Sequence, residues 1–199
     1  MKSILTFLVV ISFLISCDEH GDLNTKSFKT IIVDTFSHER IQQATKILNY
    51  SSLENGVDSF ELRLWTALGH TDFNSVKVLK YDDSNWHLSE TKYWTSGDSS
   101  FPNHGSKIFL DSGNIEFSRL ITPIPVLLDT LFKLNLETFP TQSQIPGFSD
   151  NVASGFYYDL EVATKNYYKH LFYHEPNRYG DSSNKTFSRI LKLLWISKN

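Results

Sequence analysis

The chain has one cysteine, one methionine and nine glycines in 199 residues. A single cysteine excludes an intrachain disulfide framework, a cysteine-rich zinc site and an iron–sulfur cluster. The longest apolar stretch, Ile4–Ile15, covers twelve residues with Thr6 and Ser12 inside it. A stable membrane-spanning helix requires roughly 18–20, so this stretch is too short to be one. Charge of one sign is also missing: 19 basic side chains face 22 acidic ones. A nucleic-acid partner calls for a basic face and a high pI, so none is expected. Gly-x-Ser-x-Gly, His-Glu-x-x-His, glycine-rich phosphate loops and EF-hand loops do not occur. An enzyme would have to assemble its site from scattered residues. No cofactor is called for.

What is present begins at the amino terminus. Lys2 precedes the apolar run, and Leu14-Ile15-Ser16-Cys17 closes it. A basic n-region, a short apolar h-region and a small residue before the cut describe a secretory signal. Leu14-Ile15-Ser16-Cys17 further resembles the lipobox of bacterial lipoproteins. The resemblance implies cleavage after Ser16, a diacylated Cys17 sulfur and a membrane partner reached through that lipid. It covers residues 1–17 only. Residues 1–16 are then a signal peptide, 17–27 the lipidated cysteine and a polar tether, and 28–199 one domain. Removing the signal leaves 183 residues with 18 basic and 22 acidic side chains and no free thiol. Two or three acyl chains anchor a protein far more firmly than one. The implied location is the bacterial cell envelope, in the outer membrane, on its periplasmic side or at the cell surface. Asp18-Glu19 is similar both to short acidic surface-export signals and to an inner-membrane retention signal, so the leaflet stays open.

From Phe28 onward the patterns predict α+β: a mostly antiparallel β-sheet with two or three helices packed on one face. Phe28–Val33 reads as a short strand. Ser37 is placed to cap a helix over 38–49, with Ile41, Ala44 and Leu48 on one stripe. Phe60–Leu64, Val76–Tyr81 and Trp86–Trp94 read as a three-stranded meander. Lys107–Leu110 and Ile115–Ile121 read as a hairpin turning at Asp111-Ser112-Gly113-Asn114. Pro123 opens a helix carrying Ile124, Leu127, Leu128 and Leu131. Gly155–Thr164 and Tyr167–His174 form a second hairpin. Ser183–Ile196 is a final helix with Phe187, Ile190, Leu191 and Leu194 inward.

Ser89-Glu90-Thr91-Lys92, Ser149-Asp150-Asn151 and Lys185-Thr186-Phe187 resemble, in order, the motif series of penicillin-binding proteins and β-lactamases. The resemblance is set aside. Ser89 falls in a strand rather than opening a helix, Phe187 stands where glycine is needed, and the chain is too short for that fold.

The C-terminal hairpin carries the best constellation. A two-residue turn at Lys165-Asn166 sets Glu161 opposite His170, Asp159 opposite Phe172, Tyr157 opposite His174 and Ala163 opposite Tyr168. Tyr157, Asp159, Glu161, Tyr168, His170 and His174 then share one face, the candidate binding face. The ordinary role of such a face is the solvated side of a sheet, with one Glu161–His170 pair. A second reading has His170, His174 and Glu161 bind a metal or perform acid–base hydrolysis. His70, His87 and His104 show no ligand spacing. Six of the nine tyrosines lie between Tyr157 and Tyr179. Trp65 points away from the Phe60/Leu62/Leu64 face, under a second layer or into a contact patch. With no catalytic motif, the expectation is a non-enzymatic domain that binds an envelope protein or a glycan.

Overall fold

The structure is a computed structural model that describes residues 28–68, 73–82, 85–95, 110–117, 119–120, 124–150, 154–194 and 196–197. The signal, Cys17, the tether, His70, His104, Pro123 and Lys107 lie outside the described residues.

The strands are β1 (Lys29–Ile31), β2 (Phe60–Leu68), β3 (Phe73–Asp82), β4 (Asn85–Thr95), β5 (Leu110–Phe117), β6 (Arg119–Leu120), β7 (Phe156–Thr164), β8 (Tyr167–His174) and β9 (Ile196–Ser197). The helices are α1 (Thr35–Ile47), α2 (Ile124–Lys133) and α3 (Ser182–Leu193). One seven-stranded sheet has the order β1-β8-β7-β2-β3-β4-β5, and β6 pairs with β9 apart from it. Every pairing in the large sheet is antiparallel except β1 on β8. The α+β class is as the patterns indicate.

Period-two alternation gives this sheet two unlike faces. Leu62 and Leu64 of β2, Leu79 of β3, Leu160 and Val162 of β7, and Leu171 and Tyr173 of β8 point to one side. There they pack against Leu127 and Leu131 of α2 and Phe187 and Ile190 of α3. On the other side Trp65, Val76, Val78 and Tyr93 meet Ile41 and Ala44 of α1. α2 and α3 thus share one face, and α1 covers the other. Their apolar stripes predict that each is covered, but not which side of the sheet covers it.

Two expectations are corrected. Asp111-Ser112-Gly113-Asn114 is not a turn: Gly113 pairs with Tyr93 and Asn114 with Lys92 inside β5. Long-range pairing to β4 overrides local turn chemistry, at the cost of a register shift near Tyr93. Asp34, not Ser37, caps α1, accepting the Ser37 backbone N–H at 2.8 Å. Asn49, left-handed at φ 57°, ends the same helix.

The β8 edge is closed by the chain itself. β1 covers only Tyr167–Lys169. Farther along, the Thr141 hydroxyl donates to the Phe172 carbonyl at 2.9 Å and accepts the Phe172 N–H at 2.8 Å. The Gln142 side chain does the same at His174, at 2.9 and 2.7 Å. Two side chains thus stand in for a missing edge strand. Lys169 caps the preceding turn, donating to the carbonyls of Glu137 and Phe139 at 2.9 and 2.5 Å. Burial, aided by Lys29 and opposed by Glu137, lowers its ammonium to about 8.

Candidate functional site: a buried polar face beneath the first helix

The hairpin register is the one the Lys165-Asn166 turn predicts: Glu161 faces His170, Asp159 faces Phe172, and Tyr157 faces His174. Adding β2 gives rows across three strands. Arg63, Glu161 and His170 form one row, Trp65, Asp159 and Phe172 the next, and Ala67, Tyr157 and His174 the third. The candidate binding face is therefore a real grouping of side chains. It is not a solvated surface. Asp159, Glu161 and Tyr168 are 0% exposed, His170 and His174 are 1% exposed, and only Tyr157 is partly open. α1 lies over this side and supplies Ser37, His38 and Arg40 as partners.

Asp159 is the centre of one knot. Its Oδ1 accepts from the Ser37 hydroxyl and from His170 Nε2, the latter at 2.8 Å. Its Oδ2 accepts from the Arg40 guanidinium. Burial alone would raise this carboxyl, but Arg40, His170 and Ser37 outweigh it and hold the group below its ordinary value. The expected pairing of Glu161 with His170 is corrected here: the imidazole reaches diagonally to Asp159. Glu161 is occupied by other donors, Trp65 Nε1 at 2.6 Å and the Tyr168 hydroxyl at 2.8 Å. Burial dominates at Glu161 and raises its carboxyl despite Arg63, Trp65 and Tyr168. Two carboxylates one pleat apart thus titrate in opposite directions.

The flanks of the face are also built from paired groups. Arg63 donates through Nε to Glu61 at 2.7 Å and through Nη2 to the Ser51 carbonyl at 2.8 Å. Its guanidinium carbon stands 5.1 Å from the centre of the Tyr50 ring. The Tyr50 hydroxyl bonds to Thr91 at 2.8 Å. The loop carrying Ser51 and Glu54 comes in close at Gly56, where a Cβ would lie 2.7 Å from the Thr164 carbonyl. At the other end His174 Nδ1 meets Asp150 at 2.8 Å, and the Tyr157 ring stacks on the imidazole at 4.2 Å.

The chemistry available is limited by this arrangement. Ser37 and His170 bond to the same oxygen of Asp159, so the histidine does not stand between serine and carboxylate as a nucleophile relay requires. His170 and His174 are four residues apart on one strand, about 13 Å along it. Each has its own carboxylate partner, and neither shares one with Glu161. Among the described residues no three His, Cys, Asp or Glu side chains are grouped to hold a metal ion. His170, His174 and Glu161 do not form such a group. His170 Nδ1 and His174 Nε2 are buried without a hydrogen-bond partner among the described residues.

Ser37, His38, Arg40 and Trp65 belong to the site and were missed as members. The Ser37–Asp159 bond spans 122 positions and the Trp65–Glu161 bond 96. The one sequence signal was the even spacing of polar side chains on strands otherwise rich in apolar residues.

No protein-family model, curated protein or solved structure matches the chain.

Proposed function

We propose that the protein is a lipid-anchored lipoprotein of the bacterial envelope, held in the outer membrane through Cys17. Its folded body is a non-enzymatic binding domain for an envelope protein or a glycan. The anchor rests on Leu14-Ile15-Ser16-Cys17, and it agrees with the lack, among the described residues, of any helix long and apolar enough to cross a membrane. One observation supports the non-catalytic body most strongly. The side chains that a hydrolase would use already have partners: Asp159 binds the Ser37 hydroxyl and the His170 imidazole, Glu161 binds Trp65 and Tyr168, and His174 binds Asp150. The groups at Asp159 hold a helix to the sheet, and those at Glu161 tie neighbouring strands together.

The test has two arms. Cys17→Ala should leave the chain uncleaved or in the soluble fraction, and ordinary membrane fractionation of that variant would refute the anchor. The full chain, carrying a C-terminal affinity tag, is then isolated from detergent-solubilised envelopes. A stoichiometric protein or glycan supports the binding domain. Hydrolase activity lost in His170→Ala/His174→Ala, with thermal stability that responds to zinc or chelator only in the wild type, would replace it with the enzymatic reading.

A further inference from the structure

β1 and α1 make one N-terminal arm, and the arm is attached differently from the rest of the fold. Its strand contributes three residues of parallel pairing to an otherwise antiparallel sheet. Its helix is seated by two buried apolar side chains, Ile41 and Ala44, and by polar ties at Ser37, His38 and Arg40. α3, by contrast, is seated mainly through Phe187 and Ile190 on an apolar layer, with a single buried polar tie from Gln142 to Asn184. Beneath the arm lies the face that gathers Asp159, Glu161, Tyr168 and His170.

His38 is the imidazole between arm and sheet. It is 8% exposed, and its ring centre lies 5.5 Å from that of His170 and 6.1 Å from that of Tyr168. Its Nε2 is 2.9 Å from Glu54 Oε1 and 3.3 Å from Gln42 Nε2. The atom is thus poised between an acceptor that favours a proton and a donor that favours a lone pair. We infer that the arm is a proton-released cover: it hides the polar face when His38 is neutral, and acidification raises the population in which it is lifted.

The charged and titratable groups facing His38 are Glu39 and Arg40 on α1, Glu54 on the following loop, Asp159 and Glu161 on β7, and His170 and Tyr168 on β8. Burial, then the neighbouring His170, hold its pKa below 6.5 against the pull of Glu54, Asp159 and Glu39. An undocked arm carries His38 in water, where it takes up a proton near 6.5. The docked arm binds that proton only at lower pH. Docking therefore weakens as pH falls from 6.5 through the lower docked value, about tenfold per pKa unit of difference. Asp159 keeps its ties to Ser37 and Arg40 over this window, because its carboxyl is held below 3.8. The response is thus graded rather than all-or-none. What the uncovered face binds depends on the proposed function; the cover itself does not.

The experiment is amide hydrogen exchange on the full chain at pH 7.5 and pH 5.0, expressed as protection factors, with imidazole NMR titration alongside. The expected result is a selective fall in protection across Ile41–Lys46 and at the β1-paired Tyr167–Lys169 edge, with β7, the rest of β8 and α3 unchanged, and a His38 midpoint below 6.5. His38→Gln should remove the pH response, and Glu54→Gln should move the His38 midpoint lower. Equal loss of protection in helix and strands, no response in α1, or an unchanged response in His38→Gln would overturn the cover. A partner captured by the tagged chain at neither pH would count against the binding domain alone.

Discussion

The two faces of one sheet are made by alternate residues of the same strands, and they hold their helices by different means. Leu160 and Val162 point to α2 and α3 through an apolar layer, whereas Asp159 and Glu161, their neighbours in sequence, point beneath α1. Apolar contact is insensitive to pH and costs little to arrange once residues alternate. On a buried polar face each unpaired donor or acceptor is costly, and losing the partner of a charged group leaves that charge stranded. The apolar face holds the largest cluster of buried apolar side chains. The polar face determines where one helix sits, and makes its seat responsive to protons.

The sharpest contrasts come from single substitutions. Phe187→Ala should be the most damaging, since Phe187 is fully buried and stacks on Tyr173 at 3.9 Å between ring centres. A loss of about 3–5 kcal/mol is expected by chemical denaturation. Asp159→Asn should cost about 3 kcal/mol, because Arg40 loses its buried counter-charge. Glu161→Gln should stay within about 1 kcal/mol of the wild type, because a carboxamide can still accept from Trp65 while donating to the Tyr168 oxygen. Equal losses from these two substitutions on β7 would erase the distinction drawn between its carboxylates. The pH dependence separates them as well. The raised Glu161 carboxyl makes stability fall as pH rises above 4.5, and Glu161→Gln should flatten that limb. Lys29→Ala should have the smallest effect: its contact with Glu137 is half exposed on both sides, and no change in the thermal midpoint is expected.

The β7–β8 register was legible because a two-residue turn leaves one pairing, and that pairing sorted every side chain to its face. The membership of the site was not, since its partners arrive from α1 and β2. Ile41, Ala44 and Leu48 announce a helix stripe but carry no address. Trp65 shows the same limit: its position opposite the leucine face was readable, and the layer that buries it was not. Asp111-Ser112-Gly113-Asn114 shows the converse, a strong local turn signal overruled by pairing with β4.

The central claim is that Asp159 seats α1 and that α1 buries the polar face. Amide hydrogen exchange of Asp159→Asn at pH 7.5 tests it most directly. Protection should fall across α1 while α3 and the strands of the apolar layer keep theirs. Uniform loss over all three helices, or an α1 as well protected as in the wild type, would contradict it.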